Sequence, residues 1–245
     1  MLLCFKTNFY FLAAFALIMA FVEFLFGGET LREATKFSFD RITGIYKNMV
    51  STLTFSLGLI MTGLAGSMMM VYNMSGPFIV EHQLRLSPIV AGYCSLILGL
   101  AWMIGGFVGK ATINQPFLIR LLVNAGLQTF TVTVMVLSLG WMAILYTLIC
   151  FAFAIHVSAG YIYNNFFAYN MTRFPKNAGI AGGLSGGVAY IIMSFMSYSI
   201  VYVMPPKDER NLSYGYLILV LLAVITTILF YRANKRNESN IKNLI

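Results

Sequence analysis

The stretch Arg173-Phe174-Pro175-Lys176-Asn177-Ala178-Gly179, with the apolar run Ile180 to Val203 behind it, decides how this chain is built. Two cations flank a short polar turn, Pro175 stops the preceding helix, and Asn177 stands where a cap for the next helix belongs. The run then opens on very small residues: Ala178, Gly179, Ala181, Gly182, Gly183, Ser185, Gly186, Gly187 and Ala189. Gly179, Gly183 and Gly187 recur every fourth residue and share one helix face. In water each such glycine costs a helix roughly 1 kcal/mol. In lipid the backbone must stay helical, and a face without side chains lets a neighbouring helix come close. Gly179, Gly183 and Gly187, with Gly182 and Gly186 beside them, are therefore expected to form a helix-packing seam, or a face that slides during a conformational cycle.

The rest of the composition agrees with a bilayer. Of 245 residues, 59% are hydrophobic and only 10% charged, against about 25% charged in soluble domains. The formal charge of +8 is spread through short polar segments rather than gathered on one face, which argues against nucleic acid. Cys4, Cys94 and Cys150 lie in or beside apolar runs without metal-ligand spacing, so neither a disulfide nor a metal site is implied.

A span takes about 20 apolar residues. Candidates are Phe9–Gly27, Leu53–Met74, Ile89–Val108, Phe117–Leu139, Met142–Tyr163, Ala178–Val203 and Leu212–Tyr231. The first is too long for a signal core, and Gly27-Gly28-Glu29 lacks a cleavage pattern, so it is expected to be retained. The fold class is thus an all-α membrane protein with seven transmembrane helices. The domain reading is a first helix (1–28), an inner linker (29–52), a six-helix bundle (53–231) and a basic tail (232–245). In the linker, Phe37, Ile42, Ile45, Tyr46 and Met49 fall at helical spacing among Lys36, Asp40, Arg41 and Lys47, as in an interfacial amphipathic helix.

With the C-terminus inside, segments 28–52, 109–116 with Arg120, 171–177 and 232–245 carry twelve of the sixteen Lys and Arg residues. The positive-inside rule then puts the N-terminus outside and the C-terminus in the cytoplasm, as in a multi-pass protein of the inner membrane. Gly76-Pro77, near the outer end of the second span, is expected to break or bend that helix.

Polar residues within spans are the candidate functional residues. His156 lies inside the fifth span; Tyr163 is seven residues on, on the same face, with Asn164 and Asn165 next to it. Tyr72 and Asn73 end the second span as candidate cavity liners, beside Met68, Met69, Met70 and Met74. His156, Tyr163, Asn164, Tyr72 and Asn73 are the candidates for a substrate or proton pathway. Glu23 and Arg120 sit near span ends and read as anchors. Asn124 and Gln128, four apart, read as an interhelical hydrogen-bonding seam.

Several of these stretches together resemble one family. Glu29-Thr30-Leu31 after the first span, Tyr72 through Ser75, Pro77 and Phe78 to Ser87-Pro88, the glycine-rich run Gly99 to Gly109, and Phe174-Pro175 with Ala178-Gly179-Ile180-Ala181 and Leu184-Ser185-Gly186 carry the resemblance. The chain resembles the C-terminal part of a major facilitator superfamily transporter, sixth to twelfth helices, and within it the Bcr/CflA-type drug/proton antiporters. That resemblance implies multidrug or small-molecule efflux coupled to protons, with the lipid bilayer, a small amphipathic substrate and protons as partners. The family's first five helices have no counterpart here, so a fragment, a truncated gene product or half of a split transporter is expected, with the N-terminal half as a further partner. The alternatives are a non-transporting membrane remnant or partner subunit and, further off, a seven-helix receptor.

Enzyme readings find little support, and no cofactor is implied. Gly183-Leu184-Ser185-Gly186 looks like an intramembrane serine nucleophile, but no histidine follows Ser185, as rhomboid-type chemistry requires. A retinal protein needs a lysine in its last span, and Leu212–Tyr231 has none. No HExxH, Walker or GxGxxG sequence occurs.

Overall fold

A computed structural model describes residues 2–28, 38–138, 144–205 and 207–242, with side chains from 7 to 236 within those segments. The described chain is helical: α1 (Leu2–Phe26), α2 (Phe39–Ser51), α3 (Leu53–Phe78), α4 (Pro88–Ala111), α5 (Phe117–Ser138), α6 (Leu145–Arg173), α7 (Ala178–Val203) and α8 (Glu209–Lys242). A π-helical turn, Ile79–Gln83, continues α3, and a 3₁₀ turn, Pro175–Asn177, precedes α7. Seven of these helices are long and apolar enough to cross a membrane. Glu29, Thr30, Leu31, Lys36, Phe37 and the expected start of the fifth span at Met142 lie outside the described residues.

The chain divides into two units, residues 1–42 and 43–245, so the boundary falls inside α2 rather than at either end of the linker. In the first unit, the described side chains of α1 are exposed, as a span that meets lipid on all sides would show. In the second, α3 is the central element, packed on α6, α7 and α8, while α4 and α5 both pack on α6. From Leu57 to Met68 every side chain of α3 except Ile60 is buried. Ile45 and Met49 of α2 belong to a smaller cluster with Phe55, Leu59, Phe174, Ile180, Ala181 and Leu184. Asp40, Arg41 and Lys47 are exposed, as is Tyr46, while Met49 is buried.

Helix ends follow the sequence closely in places and depart from it in others. Pro88 occupies the first position of α4 behind Ser87 in extended backbone (φ −71°, ψ 153°). Neither Ser87 nor Asn177 caps through its side chain, although both stand at cap positions. Asp208 does cap: its Oδ1 accepts the Asn211 N–H at 2.8 Å. The helix break expected at Gly76-Pro77 is not there. The α-helix runs through both residues to Phe78 and then widens into the π turn. Proline lacks one N–H, and the hydrogen-bond pattern changes to the wider turn just after it. Gly76 instead makes room for a side chain, because the Tyr72 ring lies over it where a Cβ would collide with ring carbons. At the other end of the chain α8 continues through most of the expected tail, to Lys242.

Close helix approach is built somewhere other than the α7 glycines. A Cβ at Gly105 of α4 would strike the Val157 carbonyl and the Tyr161 nitrogen of α6. A Cβ at Gly160 of α6 would strike the Trp102 carbonyl of α4. These reciprocal glycines bring two backbones together. On α7 the buried face is Ala181, Ser185, Ala189, Met193, Ser197 and Ile200. Gly179, Gly183 and Gly187 point away from it, and a Cβ at any of them, or at Gly186, would meet nothing within 4 Å. A Cβ at Gly182 would meet the Met171 side chain at 3.7 Å, an ordinary van der Waals contact. Among the described residues the glycine stripe is an open face, and alanines make the seam.

Candidate functional site

The π-proximal end of α3 and the middle of α6 bring together two of the candidate residues. His156 is 1% exposed. Its Nδ1 lies 2.8 Å from the carbonyl oxygen of Ala152, one turn back, so Nδ1–H donates and Nε2 carries the free lone pair. That Nε2 is buried with no protein partner. The Tyr72 ring meets the imidazole edge-on, centroids 5.6 Å apart at 89°. Tyr72 is fully buried and its hydroxyl has no partner either. Tyr216 of α8 lies in the same apolar core as Tyr72, fully buried and with its hydroxyl unpaired. Cys94 of α4 belongs to that core as well.

Tyr72 and His156 thus join α3 to α6, and Tyr216 and Cys94 lie in the same apolar core. Buried polar groups are nearly always satisfied, and each unsatisfied one forfeits about 1–3 kcal/mol. An unsatisfied imidazole nitrogen on a ring packed edge-on against Tyr72, with the Tyr72 and Tyr216 hydroxyls unsatisfied in the same core, leaves acceptors and donors open to a proton or a hydrogen-bonding guest.

The other candidates are placed apart from this group. Tyr163 is seven residues along α6, about 10 Å of rise from His156. It is half-buried, with its ring 5.3 Å from Trp102 and 6.0 Å from Phe167, and within electrostatic reach of Tyr190. Asn164 is exposed and its amide donates to the Gly160 carbonyl of its own helix at 2.8 Å. Asn73 is exposed at the end of α3, turned from its neighbour Tyr72 by the helical step. Met70 and Met74 border a cleft of 390 Å³ between α3 and α7, whose far wall includes Tyr190, Met193 and Tyr198. Gln128 and Asn124 bond across helices, Gln128 to Met68 Sδ at 2.9 Å and Asn124 to the Ser158 carbonyl at 3.4 Å.

Sequence reasoning passed over Tyr216 and Asn170. Tyr216 sits in a span with no other strongly polar neighbour, where tyrosine reads as an interfacial residue. Asn170 of α6 is fully buried against Gly58 of α3, and both of its amide atoms lack partners. The signal that finds it is Gly58, a gap on the facing helix opposite a polar side chain.

No protein-family model and no curated protein matches this chain.

Proposed function

We propose that residues 53–236 form one bundle of a two-bundle secondary active transporter for small amphipathic molecules, of the major facilitator type and nearest to the Bcr/CflA drug/proton antiporters. Protons are the proposed coupling ion, and the cytoplasmic membrane the proposed site, with the C-terminus inside. The observation that carries this reading is the buried His156–Tyr72 pair, with Tyr216 also unpaired in the same core. A bundle that only had to be stable gains nothing from three unpaired polar heads in its core, whereas a proton or guest site needs them. Two surface features support it. The open glycine stripe of α7 lets a companion bundle approach closely. The half-open aromatic face of Trp102, Tyr163 and Tyr190, beside the Met70 and Met74 cleft, suits varied apolar guests.

The test uses everted membrane vesicles from cells that make the chain, with a fluorescent lipophilic cation as substrate and an imposed pH gradient. Cation-dependent proton flux is expected, and His156→Ala is expected to remove it while the protein remains in the membrane. Flux that ignores the substrate, or that His156→Ala leaves intact, sinks the reading and leaves a non-transporting membrane partner in its place.

A further inference from the structure

A groove of about 620 Å³ runs between α4 and α5 on the outside of α6. Its walls are apolar along most of its length, with Val123 and Leu127 of α5 facing Phe153 and Val157 of α6. Its one charged end is at the α4–α5 turn, where Arg120, Thr112, Gln115 and Tyr161 gather, while Asn124, Ser158 and Thr131 are the polar residues farther along. The Arg120 guanidinium donates from Nη1 to Asn165 Oδ1 at 3.1 Å and, more loosely, to the Gly109 carbonyl at 3.5 Å. Its carbon lies 5.6 Å from the centre of the Phe117 ring. No carboxylate pairs with it among the described residues, and its Nε–H is buried without a partner. The Thr112 and Tyr161 hydroxyls lie 3.1 Å apart beside it. Further in, Ser158 lines the groove, more than nine-tenths buried, with an unpaired hydroxyl.

We propose that this groove holds one anionic phospholipid of the leaflet that contains the α4–α5 turn. Its phosphate sits at Arg120, and an acyl chain runs along α5 toward Thr131. Charge complementarity names the headgroup: an uncompensated guanidinium in a membrane protein takes a phosphate in paired, charge-assisted hydrogen bonds. Depth names the source. Arg120 is in the first turn of α5, at headgroup level. From there to Thr131, the last groove residue of α5, is roughly 16 Å of helix, close to half of the ~30 Å hydrocarbon core. A groove one leaflet deep, charged at the interface and mainly apolar beyond, has the shape of a lipid rather than of a path across the membrane. It also opens sideways: Ile119, Leu127 and Phe130 of α5 are exposed, as lipid-facing residues are. This inference does not depend on transport.

Titration of the purified chain in detergent with phosphatidylglycerol, and with phosphatidylcholine of the same acyl chains, tests it. Bound lipid is counted by native mass spectrometry, and affinity is read from the rise in thermal midpoint. One phosphatidylglycerol per chain is expected, held at least about tenfold more tightly than phosphatidylcholine. Arg120→Gln should erase that preference, a loss of about ten- to a hundredfold for charge-assisted bonds. Ala154→Trp, at an exposed groove position that leaves Arg120 in place, should exclude the chain and lower affinity for both lipids. If Arg120→Gln does not fold, Ala154→Trp decides. Equal binding of the two lipids by the unmodified chain overturns the proposal, as does tight phosphatidylglycerol binding that survives the folded variants. Preference for a single-chain anion such as oleate over phosphatidylglycerol overturns it too.

Discussion

Tyr72 and Tyr216 place their hydroxyls in the core with nothing to bond, which separates stability from use at single positions. Replacing an unsatisfied buried hydroxyl by hydrogen removes a desolvation penalty and leaves the packed ring. Tyr72→Phe and Tyr216→Phe should therefore keep the thermal midpoint in detergent, or raise stability by up to about 1 kcal/mol, while substrate-dependent flux falls. A destabilisation of both beyond about 1 kcal/mol would mean that the hydroxyls have partners and that the group is structural. Glu209 offers a parallel case at the start of α8. It is 1% exposed with both carboxylate oxygens unpaired, while its N–H donates to Gln83 Oε1 at 3.2 Å. The helix dipole favours an acid there by at most about 1 kcal/mol, less than the several kcal/mol that burying an unpaired charge costs. Glu209→Gln is thus expected to raise the thermal midpoint at neutral pH; a clear fall would show that a cation reaches the carboxylate.

Elements were far more legible in the sequence than faces. Hydropathy runs along the chain in one dimension, so α7 begins and ends at Ala178 and Val203, where the apolar run does. Which side of α7 packs is a three-dimensional matter. A glycine stripe fits a seam within the chain and an open face alike, and the structure puts Ala181, Ser185 and Ala189 inside instead. The site shows the same division. His156 and Tyr72 stood out as polar residues in spans, but their meeting depends on how α3 crosses α6, which no spacing encodes. The two kinds of glycine can be told apart by substitution. Gly160→Ala puts a methyl into the Trp102 backbone and should cost at least about 2–3 kcal/mol, in the range of overpacked cores. Gly183→Ala meets nothing and gains helix propensity, so it should stabilise the purified chain by up to about 1 kcal/mol. Denaturation of both variants in detergent checks this, and equal losses would mean that the α7 stripe is packed after all.

Across the whole molecule, the order of spans fixes which turns share a side. Each transmembrane helix reverses the chain. The α4–α5 turn around Ile113 and the turn at Lys176 before α7 therefore lie on one face. The turn at Arg85 and the α7–α8 turn at Lys207 lie on the other. The first face also holds Lys110, Arg120 and Arg173, and the charge bias predicts that it faces the cytoplasm. The check is single-cysteine labelling in a chain whose Cys4, Cys94 and Cys150 are replaced by serine or alanine. In intact cells, a membrane-impermeant maleimide should modify cysteines at 85 and 207 and spare those at 113 and 176. Everted vesicles should give the reverse pattern. A cysteine at 176 that labels together with one at 207 would show that Ala178–Val203 does not cross the bilayer. The alternation of spans would then fail at the helix on which the companion-bundle reading rests.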